Sequence, residues 1–150
     1  MGVARLDAFL RRHRRIALDT PVFIYQLENN ARYSGLTDRV FSWLESAGGR
    51  AVTSTITMTE LLVQPYRDGD LHRVDEFYAL LSTYPNLQWI APSLEISDVA
   101  ARIRATHRLR TPDALQAATA VQAPVSGLIT NDPIFKRVAG LEAMILDEVL

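Results

Sequence analysis

Five short apolar runs punctuate this chain: Ile16-Ala17-Leu18, Ala51-Val52-Thr53, Leu87 to Ile90, Gly127-Leu128-Ile129-Thr130 and Met144-Ile145-Leu146. Between them lie longer stretches whose apolar residues recur at helical spacing. A short uninterrupted apolar run suits a strand buried on both faces, and parallel strands need a crossover of a dozen residues or more to reconnect. The alternation predicts βαβ units and an α/β fold around a mostly parallel sheet.

The intervening stretches read as helices. Residues 3–13 carry Leu6, Phe9 and Leu10 on one face. Thr20-Pro21 opens a helix to about residue 29, since proline is tolerated in a first turn. A third helix is expected from an N-cap at Thr37, through Val40, Phe41 and Leu44, to a stop at Gly48-Gly49. Residues 57–66 read as helical with a break near Pro65. Residues 70–83 place Val74, Phe77, Tyr78 and Leu81 on one core-facing stripe. Ser93 caps a helix bearing Ile96, Val99 and Ile103. Thr111-Pro112 opens an alanine-rich helix to about residue 122, and Asp132-Pro133 starts a short one.

With 150 residues, 48% hydrophobic and without repeats or linker-like segments, the chain is expected to form one domain spanning 1–150. It has no cysteine, which excludes disulfides, thiolate metal sites and cysteine nucleophiles. No apolar run is long enough to cross a bilayer, and the N-terminus does not read as a signal peptide; a cytoplasmic protein with no membrane partner is expected. The net charge of −1 does not announce nucleic-acid binding. Fifteen of the 16 basic residues are arginine, Lys136 being the exception. The run Arg11-Arg12-His13-Arg14-Arg15 reads as the solvated face of the first helix. Arg108 and Arg110, close before Asp113, are the better candidates for contacting a substrate phosphate. His13, His72 and His107 read as solvated surface residues.

Four carboxylates stand at element boundaries. Asp19 ends the first strand, Glu60 follows the second, Asp113 opens the alanine-rich helix and Asp132 follows the fourth strand. Each has a purely structural alternative. Asp19 and Asp132 suit helix N-caps, Thr57-Met58-Thr59-Glu60 matches a capping box, and Asp113 favours a helix dipole. Yet parallel strands end on the same sheet edge, and ligands bind outside that edge. Asp113 joins the others if its helix packs with its N-terminus toward that edge. Four carboxylates in one cleft repel unless some are protonated or a cation neutralises them. Oxygen-only donors select hard cations, chiefly Mg²⁺ or Mn²⁺.

Leu18-Asp19-Thr20-Pro21-Val22-Phe23-Ile24-Tyr25, Thr59-Glu60-Leu61-Leu62, Thr111-Pro112-Asp113-Ala114-Leu115-Gln116-Ala117-Ala118-Thr119-Ala120, and Thr130-Asn131-Asp132 with Phe135 occur in this order. Together they resemble the acidic motifs of PIN domains, in particular VapC-type ribonuclease toxins and their PilT N-terminus-like relatives. The resemblance implies a three-layer α/β/α sandwich and endonucleolytic cleavage of RNA by activated water. It also implies Asp19, Glu60, Asp113 and Asp132 as catalytic metal ligands for Mg²⁺ or Mn²⁺, with Thr130 and Asn131 as supporting polar residues. A cognate antitoxin and a homodimer are the implied protein partners. The homodimer expectation also draws on the apolar supply from Tyr25, Leu27, Tyr33, Leu36 and Trp43. Two departures stand out: Pro21 replaces a common Asn or Ser, and Gln116 and Ala117 stand where some relatives carry a further acid.

The alternatives are a housekeeping PIN nuclease without antitoxin and a non-catalytic doubly wound binding or regulatory module. A phosphoacceptor receiver needs paired acids at its first strand, which Asp19-Thr20-Pro21 lacks. A haloacid-dehalogenase-type phosphatase needs Asp-x-Asp, and position 21 is Pro.

Overall fold

The computed structural model describes residues 2–46 and 48–150. Among them, five strands form one sheet in the order β3-β2-β1-β4-β5, every neighbouring pair parallel. The strands are β1 (Arg15–Leu18), β2 (Arg50–Ser54), β3 (Leu87–Ile90), β4 (Gly127–Thr130) and β5 (Glu142–Ile145). The helices are α1 (Gly2–Arg12), α2 (Thr20–Leu27), α3 (Ser34–Ser46), α4 (Thr55–Arg67), α5 (Leu71–Ser82), α6 (Leu94–Thr106) and α7 (Thr111–Gln122). Short 3-10 turns follow β4 and β5, at Pro133–Arg137 and Leu146–Val149.

Side chains alternate across each strand and build a core on each face. Ile16, Leu18 and Ile129 meet Leu6, Phe9, Val22, Phe23, Val40 and Leu44 from α1, α2 and α3; Leu61 of α4 and Leu81 of α5 join the same core. Ala17, Val52 and Leu128 point the other way, onto α6 and α7. This is the expected three-layer α/β/α sandwich. Ala114, Ala117, Ala118 and Ala120 are all fully buried, so α7 can lie close against the sheet. That closeness brings Asp113, in the first turn of α7, near the strand ends.

Local readings shift for identifiable reasons. Thr37 is not the N-cap of α3; it lies one turn inside, fully buried, and donates its hydroxyl to Gln26 Oε1 at 2.6 Å. The helix runs on through Pro65 to Arg67; the proline forfeits its own N–H bond, and only two residues of helix follow it. Tyr78 is exposed, because α5 packs through the narrow strip Val74, Phe77 and Leu81. His13 is not a solvated residue. Its ring sits 4.6 Å from that of Phe9, and its two nitrogens contact Ser126 Oγ at 2.8 Å and Glu142 Oε1 at 2.6 Å. The surrounding arginines stand at the start of β1, where Arg12 pairs with Glu142 and Arg15 bonds Ala123 O and Gln88 Oε1. They therefore occupy the sheet edge opposite the ends of β1 and β4. Among the described residues, no helix is long and apolar enough to cross a membrane.

Candidate active site

The chain runs outward from β1 to β2 and β3, then returns to place β4 on the other side of β1. The β1–β4 boundary is thus a topological switch point, where helices diverge and leave a crevice at the carboxyl ends of the strands. Asp19 stands at that point, directly after β1. Its backbone N–H extends the β1–β4 ladder, donating to Ile129 O at 3.0 Å. Its Oδ1 accepts from Thr20 N at 2.9 Å, and its Oδ2 accepts from the Thr130 hydroxyl at 2.8 Å. Asp19 does cap α2, then, but only one oxygen is used for that.

Asp19 is 5% exposed. Burial pushes its carboxyl up to about 7; the bonds from Thr130 and Thr20 oppose the shift, while the nearby charges of Asp113 and Glu60 add to it. Asp113 is also raised, chiefly by burial and further by Asp132, against the pull of Arg110. Asp19 is thus close enough to feel Asp113 and Glu60, and Asp113 close enough to feel Asp132. Asp132 joins through the backbone as well: its N–H donates to Thr130 Oγ1 at 3.1 Å, while its Oδ1 caps the following turn at Ile134 N, 3.0 Å away. Thr130 therefore links Asp19 to the Asp132 loop.

Glu60 departs from the capping-box alternative. The N-cap of α4 is Ser54, whose hydroxyl accepts from Ile56 N. Glu60 sits further along the exposed side of that helix, and its Oε1 accepts from the Thr20 hydroxyl at 2.7 Å. Asn131 makes none of these contacts. It donates to the Tyr25 hydroxyl at 3.0 Å and accepts from Asp147 N at 2.8 Å, tying the β4 loop to the segment after β5. Arg110 is 80% exposed and reaches Asp113 Oδ2 at 3.4 Å; Arg108 is exposed beside it.

Thr20, Thr53, Thr57 and Gln116, all buried beneath the carboxylates, were not among the expected site residues. One signal was available: Gln116 is a long polar residue on a buried helix face made otherwise of alanines and Thr119.

The donor set is entirely oxygen, which fits Mg²⁺ or Mn²⁺. Among the described residues, no three acidic or histidine side chains close around a point as a ready-made cage.

The sequence model of the PIN domain family matches residues 16–141. The chain belongs to the PIN domain family. The helix α1 precedes the matched span of this PIN domain. Solved structures share the fold. A toxin-antitoxin complex from Klebsiella pneumoniae is 23% identical, with a TM-score of 0.66 over 87% of this chain and 97% of the other. VapBC-1 from nontypeable Haemophilus influenzae is 22% identical, with a TM-score of 0.68 over 89% and 98%. VapBC2 from Rickettsia felis, bound to a DNA fragment from its promoter, is 17% identical, with a TM-score of 0.64 over 87% and 98%. No curated protein matches the chain in sequence.

Proposed function

We propose that this PIN domain is a divalent-metal-dependent endoribonuclease and the toxin of a toxin–antitoxin pair. The observation that carries the reading is a buried carboxylate, Asp19, held by two hydrogen bonds at the switch point while Glu60 and Asp113 repel it. A nuclease must bring an anionic phosphodiester to this acidic crevice, and a cation reconciles the two. A bound Mg²⁺ or Mn²⁺ supplies charge neutralisation and a hydroxide near neutral pH.

The residues of the chain then have separable tasks. Thr130 and Thr20 N–H fix the rotamer of Asp19, so its oxygens face the crevice without reorganisation. The Thr20 hydroxyl aims Glu60, while Asp113 and Asp132 complete the oxygen set from the other side. Arg110 leaves its long contact with Asp113 to meet a substrate phosphate, with Arg108 alongside. A guanidinium suits that task because its planar fork binds phosphate bidentately. Asn131 supports the loop rather than the metal. Residues 1–150 act as one PIN domain, with α1 built into its core.

The test is direct. With Mg²⁺ or Mn²⁺ the purified protein is expected to cut single-stranded RNA internally, and EDTA to abolish the cutting. Cleavage that survives EDTA, or no metal-dependent cleavage of RNA, would remove this reading. The likeness to structures of toxin–antitoxin complexes supports a cognate antitoxin here. Expression in a bacterial host should arrest growth, and co-expression of the neighbouring small gene should relieve it; unimpaired growth favours the housekeeping nuclease.

A homodimer belongs to the same proposal. Leu36 and Trp43 are consumed by the monomer's own core, which leaves the half-buried Tyr25, Leu27 and Tyr33 to supply the contact. Light scattering at micromolar concentration should give about twice the 16.8 kDa chain mass; a monomer mass there rejects the dimer.

A further inference from the structure

Beneath the carboxylates lies a polar network that metal binding alone does not explain. Thr20, Thr53, Thr57 and Gln116 are 4%, 1%, 0% and 2% exposed, in a place where apolar side chains would ordinarily sit. Burying so many polar groups is costly unless each is paired, and all of them are.

The direction of most bonds in this network follows from counting hydrogens. Gln116 Nε2 donates to Thr57 Oγ1 at 2.5 Å, and Gln116 Oε1 accepts from Ser54 N at 3.4 Å. Flipping the amide would set its NH₂ against that N–H, so the assignment is fixed by its surroundings. Thr53 has a single hydroxyl hydrogen, which goes to Leu18 O at 2.8 Å. The single hydroxyl hydrogen of Thr20 goes to Glu60 Oε1. In the contacts Thr53···Thr57 at 2.9 Å and Thr20···Thr57 at 3.1 Å, the hydrogen must therefore come from Thr57. Thr57 too has a single hydroxyl hydrogen, so that hydrogen is shared between the two contacts or alternates between them, while a lone pair accepts from Gln116. When that hydrogen points to Thr20, the bonds run one way from the Gln116 amide, through Thr57 and Thr20, to the Glu60 carboxylate, with Thr53 competing for it.

The ends of this chain matter. Gln116 lies one turn after Asp113 on α7, while Ser54 and Thr57 form the start of α4, the helix that carries Glu60. One amide thus clamps the two helices that present Glu60 and Asp113. An apolar residue at 116 would fill the same space and leave their spacing to packing alone.

We propose that Gln116 is a positioning residue for the carboxylate site, setting the orientation of Glu60 through Thr57 and Thr20 and the spacing of α4 from α7. This rests on the metal-nuclease reading. Gln116 stands where a further acid would add a direct oxygen ligand; here its amide is spent on holding the ligands already present.

The test uses Mn²⁺ binding, followed by electron paramagnetic resonance, alongside RNA cleavage and melting in EDTA. Gln116→Leu and Thr57→Val should each weaken Mn²⁺ binding by about 10-fold, the lower end for groups that orient metal ligands, and lower kcat with little change in KM for RNA. Thr57→Ser keeps the hydroxyl and should restore wild-type binding. In a Glu60→Gln background, Gln116→Leu should change Mn²⁺ affinity by less than about two-fold, because the two changes act through one contact. An equal loss in both backgrounds, or wild-type Mn²⁺ binding by Gln116→Leu with only a lower melting temperature, would overturn the positioning role. Should Gln116→Leu fail to fold, the Thr57→Val and Thr57→Ser pair decides the matter by the same criteria. If the wild type binds no Mn²⁺, or Asp19→Asn binds it equally well, the metal-site reading itself falls. If Asp19→Asn loses binding and Gln116→Leu does not, only the role of Gln116 falls.

Discussion

Replacing Asp19 by Asn is expected to slow RNA cleavage by ~10²-fold or more while raising the melting temperature in EDTA. The loss of rate follows from removing a charged oxygen donor, since metal-based charge stabilisation contributes several kcal/mol to such reactions. The gain in stability has a separate origin. The wild-type carboxylate is buried beside Asp113 and Glu60, and its pKa stands near 7 rather than 3.8. At pH 8 the folded apo protein therefore holds a charge that burial and its neighbours oppose. At ~1.4 kcal/mol per pKa unit, the opposition is about 4 kcal/mol. Asn removes the charge and keeps one acceptor for Thr20 N. Its NH₂ then meets the Thr130 hydroxyl, which must give up its present acceptor and already accepts from Asp132 N. That rearrangement costs about 1 kcal/mol. A net gain of roughly 2–3 kcal/mol remains, or about 5–10 °C for a chain of this size. If Asp19 were only the cap of α2, Asn would serve nearly as well and cleavage would stay flat, whatever the melting temperature did. Cleavage assays and melts of the two proteins in EDTA separate the cases; undiminished cleavage by the variant would show the assignment of Asp19 to be wrong.

The sheet was legible in the sequence because its strands are buried on both faces and so are written as unbroken apolar runs. Gly127–Thr130 is recovered residue for residue, and the alanines of α7 announce a helix pressed onto the sheet. The positions of Asp19 and Asp132 at strand ends followed from the same signal. What stayed hidden was polar and non-local. Nothing near Glu60 reveals that its partner is Thr20, forty residues earlier. The local Thr57–Glu60 spacing pointed instead to a capping box, a motif that Ser54 makes unnecessary by capping the helix three residues sooner. His13 misled for a similar reason. Its basic neighbours in sequence are solvated, but its contacts, Ser126 and Glu142, come from the starts of two strands over a hundred residues away. Gln116 was noticed only as a missing acid, whereas its amide contacts depend on the approach of α7 to α4.

The stability of the metal-free protein should fall as pH rises from about 4 to 7. Asp19 titrates near 3.8 when unfolded and about 7 when folded. Between those values the folded state keeps a proton that the unfolded state has released, so each added pH unit favours unfolding by ~1.4 kcal/mol. Asp113, also raised, acts in the same direction. Asp7 and Glu142 are lowered, chiefly by their arginine partners, so their contribution is complete above the ordinary carboxylate range and is lost only as pH falls into and below it, under the pH 5–8 range of the melts. Divalent metal should reverse the trend, because it occupies the deprotonated site. At pH 8, Mn²⁺ at 100 times its dissociation constant adds about 2.7 kcal/mol, roughly 5–10 °C in melting temperature. At pH 5, two units below the Asp19 value, protons outcompete the metal by about 100-fold, and the same Mn²⁺ concentration adds only about 0.4 kcal/mol. Asp19→Asn should flatten most of the pH slope and most of the metal shift together, since one carboxylate carries both. Melts at pH 5, 6, 7 and 8 with EDTA or Mn²⁺ provide the check. A metal-free wild type whose stability holds level or climbs across that range would mean that Asp19 is not buried against its neighbours as described, and the electrostatic argument for a cation at this edge would fail with it.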